Sequence, residues 1–167
     1  VPSAAFESEF YLGKRDENGE LQPFDESGCF AADGMQSAHT IILDMIDALE
    51  AQGMDLAVYY PEYGPGQQEL VVKHDAGIAA ADNQALYKQT IKGIAQDHGV
   101  EATFLPKPFR EKPGSGCHVH LSLWDGDENI FFDETSDSRY GLSETGRQFV
   151  GGVLEHGRAL VALTAPT

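Results

Sequence analysis

The feature that most constrains this chain is a glycine-rich loop running straight into an alternating segment. It reads Lys107-Pro-Phe-Arg-Glu-Lys-Pro-Gly-Ser-Gly-Cys-His-Val-His-Leu-Ser-Leu-Trp124. Side chains on a β-strand point to opposite faces with a period of two. From Cys117 to Trp124 the segment therefore reads as a strand. His118, His120 and Ser122 share one face, and Cys117, Val119, Leu121 and Leu123 share the other. Glycine lets backbone approach a ligand closely, and loops on a rigid scaffold are where binding residues concentrate. Three polar groups in register beside such a loop describe a site. A half-exposed antiparallel strand with polar residues facing water has the same pattern, so the rest of the chain must decide.

Two acidic pairs bear on that choice. Phe6-Glu-Ser-Glu-Phe-Tyr-Leu12 alternates in the same way and puts Glu7 and Glu9 on one face. Carboxylates spaced i, i+2 on a strand lie roughly 6–7 Å apart at the backbone. They repel unless a cation lies near, although a solvated strand edge also tolerates them. Glu62 and Glu69 flank Gly64-Pro65-Gly66, a strong turn signal. The turn doubles the chain back between a strand ending near Tyr60 and one beginning near Gln68, so both carboxylates face one cleft. Four carboxylates and an imidazole suit a hard divalent cation, magnesium or manganese rather than zinc. Cys29 and Cys117 are far apart and lack the spacing of a zinc site; they read as inert small hydrophobes.

The remaining pattern supplies a scaffold. Residues 13–34 are polar and turn-rich, a long loop or hairpin extension. Asp33 and Gln36 suggest a capping box for a helix over 36–52, whose stripe is Ile41, Ile42, Met45, Ile46 and Leu49 and whose stop is Gly53. Leu56 to Tyr60 and Leu70 to Lys73 read as hairpin partners. A second helix spans about 82–98 with Leu86, Thr90, Ile91, Ile94 and Ala95 buried, and Gly99 ends it. A short strand covers 102–105. Asp125 to Asn129 is a turn, Ile130 to Phe132 a short strand. Ser143 caps a helix carrying Phe149, Val150, Val153 and Leu154, and a closing helix covers 159–163. His39, His74, His98 and His156 are assigned no role. The fold class expected is α+β: a curved, mostly antiparallel sheet, helices on its outer face and ligands on the other.

Taken in order, four segments resemble the glutamine synthetase catalytic domain. They are Glu7-Ser-Glu9; Glu62 to Glu69 with its Pro-Gly-Gln core; Ala102-Thr-Phe-Leu-Pro-Lys-Pro108; and Pro113-Gly-Ser-Gly-Cys-His-Val-His-Leu-Ser122. Ala81-Asp-Asn-Gln-Ala-Leu-Tyr-Lys88 and Leu163-Thr-Ala-Pro-Thr167 fit as well, so the resemblance covers nearly the whole chain. It implies a half-barrel sheet with the site on its concave side. By similarity Glu9, Glu62 and Glu69 hold one metal, and Glu7 and His118 a second. His120 and Ser122 line the nucleotide pocket, and Gly114 presents backbone to the amino-acid substrate. No catalytic residue beyond the metal ligands is expected here. The implied cofactors are two magnesium or manganese ions per site, with ATP as a substrate. The implied reaction joins the γ-carboxylate of glutamate to ammonia or an amine through a γ-glutamyl phosphate. The implied parent is a large homo-oligomeric ring.

The resemblance further implies that residues 1–167 are part of a catalytic domain. A small N-terminal β-domain carrying an ammonium-site Asp is expected before Val1. Phosphate-binding arginines, a further metal glutamate and a flap glutamate are expected after Thr167. The segment alone is then expected to be inactive. Three positions depart from glutamine-forming members: Pro113 stands for an Asn, Tyr60-Pro61 for His-His, and Ala57 for an acidic residue. These changes resemble the branch that uses amines, such as polyamines, in place of ammonia. A non-catalytic metal- or nucleotide-binding homologue is the third reading. A formal net charge of −16 argues against nucleic acid and membrane surfaces, which call for basic patches. No apolar run reaches the roughly 18 residues of a membrane span, and no signal peptide is visible, so the expected location is the cytoplasm.

Overall fold

Strand β1 runs from Pro2 to Arg15, well beyond the alternating stretch that predicts it. It is antiparallel to β2 (Leu21–Pro23), β4 (Gln67–Val72) and β6 (Glu101–Thr103). β3 (Leu56–Pro61) pairs with β4 through the predicted hairpin, and a short β5 (Asp75–Ala76) also pairs with β1. β7 (Cys117–Asp125) follows β1 in the strand order. The computed structural model describes residues 1–135 and 140–165. They divide into two units: Ala4–His120, and Val1–Ser3 with the chain from Leu121 onward.

In the larger unit, strand parity sorts the residues onto two faces. Phe10 and Leu12 of β1, with Leu70 and Val72 of β4, enter an apolar core. Against them pack α1 (Ala32–Ala51), through Ile42, Met45 and Leu49, and α2 (Ile78–Asp97), through Tyr87, Ile91 and Ala95. The α+β arrangement expected from the sequence is thus present: an antiparallel sheet, curled into a half-barrel, with helices on one face. The turn-rich stretch after Gly13 is a hairpin. Asp16 closes it by accepting from the backbone N–H groups of Asn18 and Glu20 at 2.9 and 3.0 Å.

Several expectations need correction. α1 starts at Ala32, and its N-cap is Ala31 with no side-chain cap, so Asp33 and Gln36 form no capping box. Asp33 instead sits in the first turn, where an acidic group favours the positive helix end. α2 begins at Ile78, behind Gly77 at φ 60°. Leu86 is 50% exposed, and Tyr87, about 100° further round the helix, is buried in its place. The tyrosine can be buried because its hydroxyl donates to the Leu70 carbonyl at 2.9 Å. His98 does have a partner, Asp44 at 2.6 Å, which ties the end of α2 to α1.

In the smaller unit, the outer half of β7 pairs with β8 (Glu128–Asn129) about a tight turn at Gly126, φ 58°. The strand expected over Ile130–Phe132 is absent there; Phe132 makes only an isolated bridge to Leu142. Ser143 caps α3 (Glu144–Glu155) as predicted, its hydroxyl accepting from the Gly146 N–H at 3.0 Å. α4 (Gly157–Thr164) follows. Among the described residues no helix is long and apolar enough to cross a membrane.

Candidate functional site

The sheet face opposite the helices is acidic, and the reason is register. Glu9 and Glu69 are direct partners across β1 and β4, and Tyr60 is the partner of Glu69 across β3. Like charges directly opposite one another destabilise a sheet. Glu62 is added by the hairpin turn, whose ends are pinned by Glu62 N–H donating to the Gln67 carbonyl at 2.8 Å. Gly66 permits the turn: φ is +72°, and a Cβ there would lie 2.7 Å from the Leu12 carbonyl oxygen. The result is one carboxylate oxygen each from Glu9, Glu62 and Glu69, all within 4.8 Å of one another.

These groups are held rather than left to splay. Gln67, only 1% exposed, donates from Nε2 to Glu9 Oε2 at 2.7 Å and to the Gly114 carbonyl at 3.0 Å. Its Oε1 accepts from the Gly64 N–H at 2.9 Å. The Tyr60 hydroxyl donates to Glu69 Oε1 at 2.8 Å, and the Tyr63 N–H to Glu62 Oε2 at 3.1 Å. Burial, then the neighbouring Glu9, pushes the Glu62 carboxyl above its usual range. Burial does the same to Glu69; the Tyr60 hydrogen bond opposes it, and the charges of Glu7 and Glu9 add to it. At an effective dielectric of about 20, two charges at this spacing repel by roughly 3 kcal/mol. Among the described residues no Lys or Arg is paired with any of the three. An all-oxygen donor set with unmet negative charge fits a hard divalent cation.

Glu7 has a different environment. Its Oε1 is 3.0 Å from His120 Nε2, and its Oε2 is 3.2 Å from His118 Nδ1. The His120 bond, with that of His118, holds the Glu7 carboxyl below its usual range against the effect of burial. The parity read from the sequence is realised here, since His118 and His120 reach the same carboxylate from one strand face.

The glycine-rich loop closes over this face. The Tyr11 hydroxyl donates to the Pro113 carbonyl at 2.8 Å, and its ring meets Phe109 edge-on at 5.0 Å. Burial pushes the Tyr11 hydroxyl up to about 12. A Cβ at Gly114 would lie 2.8 Å from the Pro106 carbonyl oxygen, and one at Gly116 would lie 3.0 Å from Glu9 Oε1. Gly114 is thus required by the loop's own packing, and Gly116 lets the loop lie close against the Glu9 carboxylate. A cavity of about 370 Å³ is left between loop and sheet, lined by Glu7, Glu9, Glu62, Glu69, His118 and Gly114.

Of the residues singled out from the sequence, those six share the cavity, and His120 joins it through Glu7. Ser122 belongs to the smaller unit, where its hydroxyl accepts from Trp124 Nε1 at 2.8 Å. Cys29 and Cys117 form no disulfide and are both exposed, and Cys117 Sγ lies 3.2 Å from Ser8 Oγ. Sequence reasoning missed Tyr60 and Gln67. The parity of β3 carried the signal for Tyr60. Nothing short of the folded turn shows where the Gln67 amide goes.

The description "glutamine synthetase, catalytic domain" matches residues 1–167. The chain is 41% identical over 164 residues to the glutamine synthetase of Halobacterium salinarum, covering 96% of this chain and 36% of that protein. It is 41% identical over 169 residues to the glutamine synthetase of Thermotoga maritima, covering 100% of this chain and 38% of that protein. Among solved structures, a GmaS/ADP complex superposes with a TM-score of 0.89 at 31% identity, covering 99% of this chain and 39% of that one. The chain thus spans a little over a third of the length of these relatives.

Proposed function

Because the chain belongs to the glutamine synthetase catalytic-domain family, we propose that the polypeptide carrying it is an ATP-dependent ligase. It joins the γ-carboxylate of glutamate to ammonia or an amine. The observation that carries this reading is the convergence of Glu9, Glu62 and Glu69, the last two buried and raised, with no cationic partner among the described residues. Glu9, Glu62 and Glu69 would hold one magnesium or manganese ion, and Glu7 with His118 a second; bound there, the ions would neutralise charge on the transferring phosphoryl group.

The chemistry needs two stages. Glutamate's γ-carboxylate is a poor electrophile, so its oxygen first takes the γ-phosphoryl of ATP, and ADP leaves. The nitrogen lone pair of the acceptor then forms a C–N bond as the C–O bond to phosphate breaks. Phosphate leaves with the electron pair, and the nitrogen's surplus proton passes to water. The residues of this chain orient the partners. Gln67 fixes the Glu9 carboxylate to the Gly114 loop, and Tyr60 fixes Glu69. Gly114, which lines the cavity with the carboxylates, presents backbone to the glutamate. His120, which reaches the cavity through Glu7, serves the nucleotide. We place the protein in the cytoplasm as a homo-oligomer, and assign turnover to the whole polypeptide rather than to these 167 residues alone.

Calorimetry with manganese tests the site directly. The expected result is saturable binding to the chain that a Glu9→Ala, Glu69→Ala double variant loses. Equal binding by both would mean diffuse attraction to an acidic surface and would remove the basis of the reading. For the activity, the whole polypeptide should release phosphate from ATP only with glutamate and an acceptor together. Metal binding without such turnover would favour the non-catalytic homologue.

A further inference from the structure

The glycine-rich loop is tied to the sheet through three of its carbonyls. The Tyr11 hydroxyl donates to that of Pro113 at 2.8 Å, the Glu9 N–H to that of Gly116 at 3.0 Å, and Gln67 Nε2 to that of Gly114 at 3.0 Å. Of these tethers, only the last shares its donor with a carboxylate side chain: Gln67 Nε2 also donates to Glu9 Oε2 at 2.7 Å. The amide has one workable orientation. Its Oε1 accepts from the Gly64 N–H at 2.9 Å, and turning the group over would set that oxygen against a carboxylate and a carbonyl, both acceptors. Gln67 is only 1% exposed, so bulk water cannot stand in for a lost partner. One rigid nitrogen thus holds the Glu9 carboxylate and the Gly114 loop, and neither can shift without the other.

The Glu9 carboxylate stands with those of Glu62 and Glu69, one oxygen of each within 4.8 Å of the others, and the three repel. A cation that satisfied them would fix the Glu9 carboxylate in place. The shared amide would carry that constraint to Gly114. We infer that Gln67 is a positioning residue that couples the cation site to the loop, so that cation binding closes the loop over the cavity. By linkage, whatever holds the loop closed tightens cation binding by the same factor. The inference rests on the reading of the three carboxylates as a cation site and adds the regulation of that site.

The loop carries its own reporter. Lys107 and Lys112 each precede a proline, which blocks trypsin, so the loop's tryptic bond is Arg110–Glu111, and the Arg110 side chain is 95% exposed. Where opening and closing are fast, cleavage reads the population of the open form. The test is limited trypsin digestion of the whole polypeptide, followed by mass spectrometry, with and without saturating manganese. Manganese should slow the cut at Arg110–Glu111 about fivefold or more relative to the cut after Arg15, the lower end of typical couplings. Gln67→Met, which keeps the length and removes the donors, should still bind manganese in calorimetry but lose the protection. Tyr11→Phe removes a tether that bypasses the Glu9 side chain. It should be cut faster throughout and keep the manganese effect, which separates coupling from mere loosening of the loop. If Gln67→Met does not fold, Gln67→Glu takes its place, since it retains the acceptor for Gly64 and has nothing to donate. Protection that persists in a folded Gln67 variant would overturn the inference. So would manganese that binds the unmodified protein without slowing the cut, and either result leaves the ligase reading intact. No saturable manganese binding to the unmodified protein would sink both.

Discussion

Glu62 and Glu69 show how far a side chain's behaviour departs from its identity. Each is an ordinary glutamate in sequence, yet burial and neighbouring charge raise both carboxyls above the usual value of 4.5. A raised acid binds its proton more tightly in the folded state. Its contribution to stability is therefore full below about pH 4.5 and is lost as pH rises through the elevated folded value. Glu7 has the opposite sign. Its lowered carboxyl stabilises the fold above pH 4.5 and loses that contribution as pH falls further. The thermal midpoint of the cation-free chain should accordingly fall from about pH 5 toward pH 8. Glu62→Gln with Glu69→Gln should flatten that slope, and added manganese should reverse it in the unmodified chain. A slope that is the same in the variant would assign the effect to other groups. Scanning calorimetry across pH reads all three.

The β3–β4 hairpin is where an element, rather than a residue, makes the site. Its turn carries Glu62, its return strand carries Glu69, and its Gln67 reaches both Glu9 and the Gly114 loop. All of this depends on a tight return at Gly66. Alanine there would adopt a left-handed conformation and press a Cβ to 2.7 Å from Leu12 O and 2.9 Å from Phe24 N. Gly66→Ala should cost about 2–4 kcal/mol in urea denaturation and should weaken manganese binding along with stability. A neutral result would mean that the turn relaxes freely and does not set the position of Glu62. The turn signal was legible in Gly64-Pro65-Gly66, and so was the hairpin. The cross-strand register that makes Glu9 the partner of Glu69 was not, because it depends on how β1 and β4 align over long sequence separation.

For the larger unit as a whole, one apolar core against one sheet face fixes which way every strand residue points. Phe10 and Leu12 enter the core, so Glu7 and Glu9 must face the cavity and Tyr11 the glycine-rich loop. The helical stripe of α2 tests the packing. Ile91 is fully buried, and Leu86, once expected in the same stripe, is half exposed. Ile91→Ala should cost about 2–5 kcal/mol and Leu86→Ala about 0.5 kcal/mol or less, read by chemical denaturation. Similar losses at both sites would restore the stripe read from periodicity alone.

The sequence by itself determined the alternation of β1 and β7, the hairpin, the helix capped at Ser143, the family resemblance and the identity of the clustered carboxylates. Those are local signals: period two, glycine and proline at turns, a serine at a helix start, and motifs of a few residues each. Tertiary structure decided what lies between distant segments. It buried Tyr87 in place of Leu86, because the Leu70 carbonyl was there to accept its hydroxyl hydrogen bond. It left Asp33 without a capping role, because the helix began at Ala32. It brought Phe30, Tyr60 and Tyr63 to one wall, although Phe30 is 30 positions from Tyr60 in the chain. Only the packing of sheet, turn and loop against one another fixes such pairings, since no local pattern encodes a partner that far away.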